Sequence, residues 1–225
     1  MKILCFDTCF NKSFIVLSEG KNILQTKIIN SDEKNYHSAY LIPEIRNILV
    51  NNNMFIKDLN AIGINIGPGS FTGVRAGVTI ARVLCQQFNI KLIGVPSLEI
   101  LSYLNKEKKS AAVVLDARKN KVYFGEYDNG IVITKPCLKD KDELFSCLNK
   151  NSTVITDASI SEFLNENGIK NLCYEAFDEN LGLYLSSIVQ NQLDNSNEDF
   201  NWAKVKPLYI QKPSISKPKE KTNVL

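Results

Sequence analysis

The sequence predicts an α/β protein built from two related subdomains. Strand-like apolar runs alternate with segments of helical period along the chain. Two stretches resemble each other at an offset of 109 residues, Asp7 matching Asp116. A third stretch, "GINIGPGSFTGVRAGVTIARVLCQQF" (63–88), reads as strand, glycine-rich loop and helix.

The repeat comes first in the chain. "ILCFDTCFNKSFIVL" (3–17) and "AVVLDARKNKVYFGEY" (112–127) each close four apolar residues with an aspartate, Asp7 or Asp116. Each then reaches an Asn-Lys pair and a second extended run, so both read as β-hairpins opening the two halves. After the first hairpin, "NILQTKII" is a third strand. "SAYLIPEIRNILVNN" is a helix with Leu41, Ile45 and Ile48 on one stripe, its first turns kinked or delayed by Pro43. "LNAIGINIG" is a buried strand, the helix after the glycine loop spans about Thr72 to Phe88, and "KLIGVPS" is another strand. In the second half a short helix near Asp142–Leu148 follows the hairpin. The strand "STVITDA", a helix near Ser159–Asn167 and the helical "LGLYLSSIVQNQL" come next, before "VKPLYIQ". The division is 1–105 and 106–211, with a Lys/Pro/Ser-rich disordered tail at 212–225.

Composition bounds the function. With 225 residues, 44% hydrophobic and 23% charged, the chain has material for a substantial core. No apolar run approaches a bilayer's thickness, and Asp7 interrupts the segment where a secretion signal would be apolar. The six cysteines form no CxxC pair and read as reduced, mostly buried thiols, the pattern of a cytoplasmic protein. The net charge of +3 is uneven: residues 203–225 carry +5, which leaves residues 1–202 at −2. The body of the protein is therefore not basic, and bulk charge gives no support to a nucleic-acid-binding face; the tail reads as a solvated segment, with a weak electrostatic contact with RNA as the alternative.

The glycine loop matches neither common phosphate pattern. Val74 follows the last glycine where a P-loop has lysine, and Gly67, Gly69 and Gly73 are not spaced as GxGxxG. What remains is a helix N-terminus with hydroxyls at Ser70 and Thr72. Around Gly69 it is suited to an anion, and equally to a capped helix behind a tight turn. The helix is apolar on two sides. Val74, Val78, Ala81, Cys85 and Phe88 form one seam, and Ile80, Val83 and Leu84 a second face. Both must be buried, against the chain's own sheet or against a partner. The single histidine, His37, excludes a paired-histidine zinc centre and leaves a histidine-based triad without a motif. Asp7 and Asp116, each closing a buried strand, are placed to bridge a metal-bound phosphate across a cleft, and Arg75, Arg82 and Arg118 to contact phosphates or partner carboxylates.

Together "FDTCFNKSFIVL", "YHSAYLIPEIRNIL", "AIGINIGPGSFTGVRAGVTIARVL", "IKLIGVPSLEIL", "VVLDARKNKVYFGEY" and the closing "VKPLYIQ" resemble the bacterial TsaB (YeaZ) family. The resemblance runs in order from Met1 to about Tyr127, with support to Gln211. It implies the duplicated fold of actin, Hsp70 and sugar kinases, and a role in making threonylcarbamoyladenosine beside the anticodon of tRNAs that read codons beginning with A. It further implies a non-catalytic subunit that docks on the metal-bearing transferase TsaD through its first-subdomain helices, with the ATPase TsaE as third partner and tRNA contacted indirectly. Alone, such a chain is expected to form a homodimer, and it has no membrane partner.

Carried onto this sequence, the resemblance makes His37, Leu41, Ile45, Ile48, Val74, Val78, Ala81, Cys85 and Phe88 the partner interface. Asp7, Gly69, Ser70, Thr72 and Asp116 are the candidate nucleotide or anion contacts. The chain itself is expected to bind no cofactor and no metal, ATP and magnesium belonging to the complex. Two histidines that bind the metal in TsaD fall on Ser97 and Leu101 here, and the family's Gly-Asp-Gly-like turn is replaced by "ITDASISEFL", with Thr156 and Ala158. The rivals are an ATP-dependent enzyme of the same fold acting through Asp7 and Asp116, and a glycoprotease-like metallohydrolase.

Overall fold

Alternation along the first strand sets the layers. β1 (Lys2–Asp7) sends Leu4 and Phe6 to one face of its sheet and Ile3 and Cys5 to the other, and all four are buried. A strand apolar on both faces belongs inside a covered sheet. The computed structural model describes residues 1–30, 36–105, 110–149, 152–196 and 198–211; the side chains of residues 36–39 and the tail 212–225 lie outside that description.

The first half continues with β2 (Ser13–Glu19), β3 (Asn22–Ile29), α1 (Tyr36–Asn51), β4 (Ala61–Asn65), α2 (Phe71–Phe88), β5 (Lys91–Val95) and α3 (Ser97–Ser102). The second comprises β6 (Ala111–Asp116), β7 (Lys121–Asp128), β8 (Ile131–Asp140), α4 (Leu144–Cys147), β9 (Thr153–Thr156), α5 (Ala158–Glu166), β10 (Leu172–Cys173) and α6 (Leu181–Asn195). The sheets have equivalent orders, β3-β2-β1-β4-β5 and β8-β7-β6-β9-β10. In each, three strands form an antiparallel meander and two more join in parallel. The sequence repeat is thus a repeat of topology. The hairpins differ by one residue, since Asp7 pairs with Phe14 but Asp116 with Val122. Arg118, Lys119 and Asn120 make the shorter connection with φ of 62°, 52° and 58°.

Five layers result. α1 and α2 cover the outer face of the first sheet, burying Leu41, Ile45, Ile48, Val74 and Val78 on Leu4, Phe6, Ile62 and Ile64. α4 and α5 cover the outer face of the second, with Leu144, Ile160 and Leu164 on Val114 and Phe124. Between the sheets the packing crosses over. α6, late in the chain, lies on β1, β2, β4 and β5, whereas α3, which directly follows the first sheet, packs on β6 and β7. Their apolar faces merge the inner sides of both sheets into one core around Ile3, Val16, Leu98, Val113, Leu185 and Val189.

Some elements depart from the sequence reading. α1 runs unbroken through Pro43, whose ring faces solvent. The helix expected from Asp142 begins as a 3-10 turn at Lys141–Glu143 before α4. β8 escaped the pattern because it carries Pro136 and charged residues, which an edge strand tolerates. All six cysteines are unpaired, and only Cys5, Cys9 and Cys85 are fully buried. Among the described residues no helix is long and apolar enough to cross a membrane.

Candidate functional site: the cleft at the glycine loop

Both repeated hairpins point their turns into one cleft of about 900 Å³, which Gly69, Ser70, Thr72 and Asp116 line. On the first-half wall the glycines answer to backbone. A Cβ on Gly69 would stand 2.5 Å from the Cys9 carbonyl oxygen, and one on Gly73 would collide with the Thr8 carbonyl. The loop is strapped to the hairpin turn by the Ser70 N–H donating to the Cys9 carbonyl (2.8 Å) and the Thr8 hydroxyl donating to the Gly73 carbonyl (2.7 Å). Ser70 caps α2 by accepting from the Gly73 N–H at 3.2 Å. The glycines thus let a helix start against a strand-to-strand turn.

The facing wall is acidic. Asp157 caps α5, accepting from the Ile160 N–H at 2.9 Å and from the Asp116 N–H at 2.6 Å. Glu175 accepts from the Ala158 N–H at 3.2 Å. A phosphate aimed at this helix start would meet two carboxylates already seated on its amides. Burial raises the Asp157 carboxyl above its ordinary range, with Glu175 and Asp116 adding to the effect. Arg118 and Lys119, on the left-handed turn, supply positive charge at the rim.

Deeper in, the chain fills the space itself. Phe10 and Tyr174, both buried, meet with ring centroids 5.3 Å apart, and Lys12 pairs with Asp178 at 2.8 Å across the two halves. Asp7 lies outside the cleft lining and is 2% exposed. Its Oδ1 accepts from the Cys9 N–H at 2.6 Å while Oδ2 is buried without a partner, and burial raises the carboxyl to about 6. Asp7 and Asp116 are therefore not brought to one open site. Ser97 is buried and donates to Asn65 Oδ1 at 2.8 Å, and Leu101 sits in the inter-sheet core. Among the described residues no group of three or more His, Cys, Asp or Glu side chains is placed to hold a metal.

The segment "VKPLYIQ" closes one edge. The Leu208 N–H donates to the Ile66 carbonyl (2.8 Å), and the Tyr209 hydroxyl accepts from Arg75 Nε at 2.9 Å. The Arg75 guanidinium lies 3.8 Å from the centroid of the Phe71 ring. Arg75, which the sequence leaves open between surface and phosphate contact, is a clamp on the returning chain. Arg82 lies 5.8 Å from the Trp202 ring. Sequence reasoning missed Phe10, Tyr174, Asp157 and Glu175. Only Asp157 left a signal, as an aspartate three residues before Ile160 at a helix start.

The proposed interface seam needs correction. Leu41, Ile45, Ile48, Val74, Val78, Ala81 and Cys85 are all buried in the chain's own core, because they face the first sheet. They are not surface on which a partner can dock. Phe88 alone of the seam is exposed, at 42%, and the side chain of His37 lies outside the described residues. The outward positions are Ile42 (56%), Val50 (60%) and Val83 (58%), with Tyr40 beside them.

Two topologically equivalent five-stranded sheets facing each other across a cleft at their hairpin turns define a duplicated, two-subdomain α/β protein. A family model described as "TsaD: tRNA N6-adenosine threonylcarbamoyltransferase" matches residues 23–167, more than half of the chain. The tRNA threonylcarbamoyladenosine biosynthesis protein TsaB of Escherichia coli is 38% identical over 138 residues, 58% of each chain. TsaB of Buchnera aphidicola from Acyrthosiphon pisum is 31% identical over 149 residues, 61% of this chain and 67% of that one. A Pseudomonas aeruginosa crystal structure, described as similar to peptidase YeaZ, superposes with a TM-score of 0.75 at 18% identity, covering 93% of this chain and 99% of that one. The chain belongs to the TsaD-type family and, within it, to its TsaB (YeaZ) branch. The first matches span about 60% of the length of those curated relatives.

Proposed function

We propose that this chain is a non-catalytic subunit in the formation of threonylcarbamoyladenosine beside the anticodon of tRNAs reading codons that begin with A. In this reading it acts in the cytoplasm by docking on TsaD and supporting it, with TsaE as a further partner and tRNA contacted through the complex. The observation that carries the reading is the contrast between a cleft whose second-half helix start is already capped by carboxylates and an outward apolar helix face. Asp157 and Glu175 already hold the first amides of α5 on the cleft wall, while Ile42, Val50, Val83 and Phe88 leave apolar surface on α1 and α2. Without TsaD the same face pairs with a second copy. The reading keeps 1–105 and 106–211 as the two subdomains.

The test is co-purification with TsaD of the same organism, comparing wild type with Val83→Arg. Val83 is exposed, so the variant folds, and the complex is expected to be lost. A complex that survives Val83→Arg and also Ile42→Arg places the contact elsewhere. No complex with wild type removes the docking reading.

A further inference from the structure

Cys147 ends α4 on the outer face of the second sheet, where it has company. On β8, Cys137 pairs with Phe124 and Lys139 with Val122. Paired residues share a face, so both turn with those two core residues towards α4 and α5. Cys137 and Cys147 both pack against this cluster. The Lys139 ammonium donates to the Cys147 sulfur at 2.9 Å and lies 4.6 Å from the centroid of the Phe124 ring, the ring opposite Cys137. Two thiols and one ammonium therefore share one layer, all three residues partly exposed.

The cysteines differ in what surrounds the sulfur. Cys5, Cys9 and Cys85 are buried, and burial keeps them as thiols, pushing Cys5 and Cys85 up to about 12. Cys173 is partly exposed, as Cys147 is, but its sulfur donates to Glu175 Oε2 at 3.0 Å. Burial and that carboxylate push the Cys173 thiol up to about 11. Cys147 meets a cation instead. The hydrogen bond to its sulfur raises the Lys139 ammonium above its ordinary value against the opposing effect of burial, and Cys137 and Glu126 add to the rise. An ammonium bonded to sulfur stabilises the thiolate, which is the form that attacks electrophiles.

We propose that Cys147 is an oxidation site, its thiolate held by Lys139 and converted by hydrogen peroxide to a sulfenic acid. The sulfur attacks one peroxide oxygen, an S–O bond forming as the O–O bond breaks, and two electrons pass from sulfur to the peroxide. The leaving hydroxide takes a proton from the Lys139 ammonium and departs as water. The site is no part of the glycine-loop cleft and does not depend on docking to TsaD. The full chain is treated with peroxide in the presence of a cyclic 1,3-diketone that traps sulfenic acids, and labelling of each cysteine is followed by peptide mass mapping. Cys147 is expected to label first, about tenfold faster than Cys173. Lys139→Met removes the charge and keeps an apolar stem. It is expected to slow Cys147 about threefold, because the lost thiolate is partly offset by its higher intrinsic nucleophilicity. Lys139→Arg is expected to keep the rate within about twofold, and Cys173, on the opposite edge strand, to label at the same rate in both variants. Labelling that begins at any other cysteine overturns the proposal, as does a chain in which none is labelled. So does a Cys147 rate unchanged by Lys139→Met, or one lowered equally by Lys139→Arg.

Discussion

The helix starts after β4 and β9 occupy equivalent places in the two sheets and are built differently. α2 runs for 18 residues from a loop whose glycines press on the neighbouring hairpin turn. α5 has nine residues and starts from an aspartate that caps it, with a second carboxylate alongside. The first junction is fixed by backbone against backbone, the second by side chains that can be exchanged. The repeat shares its topology while the two helix starts are built in different ways.

The sharpest test of this comparison is a Cβ at each junction. Gly73→Val sets side-chain atoms against the Thr8 carbonyl and is expected to cost about 5 kcal/mol, enough to unfold a typical domain. Ala158→Gly at the other junction should cost about 1 kcal/mol or less. Urea titrations compare the two, and equal losses would erase the distinction. Next come the two sides of α2. Val78→Arg buries an unpaired charge in the core and should cost about 4 kcal/mol, whereas Val83→Arg should stay within about 0.5 kcal/mol by thermal melting.

Asp7 gives a pH signature that belongs to the first half. Burial raises its carboxyl from 3.8 to about 6, so the folded chain holds this proton more tightly than the unfolded chain. The stability it contributes is complete below about pH 4 and is lost as the pH rises through about 6. Asp7→Asn should flatten that fall and add about 2 kcal/mol at pH 8, measured by urea unfolding across the range. An unchanged pH profile would place the buried charge elsewhere. A smaller loss than that of Val78→Arg is expected at the exchangeable junction, where Asp157→Ala removes a cap and should cost about 1 kcal/mol in the same assay.

Much of the fold was legible because burial leaves period-two and helical stripes, as in Ile3 to Phe6 and Val74 to Cys85. The repeat was legible because Asp7 and Asp116 end homologous strands. The side of α2 that faces inward was not, since both sides are apolar. The small residues of the seam did signal close approach, but to the chain's own β1 and β4, where Gly77 lies against Thr8 and Ile64. The plug of Phe10 and Tyr174 was also hidden, because it joins residues 164 positions apart whose meeting depends on how the halves pack.

The exchange of α3 and α6 between the sheets has a consequence for genetics as much as for structure. A gene cut between codons 105 and 106 would give a first fragment whose sheet lacks the cover of α6, and a second fragment whose sheet lacks α3. Neither piece can bury its inner apolar face alone, so the repeats are not interchangeable modules. Mixed together, the two pieces are expected to reassociate and complement each other, each completing the other's fold.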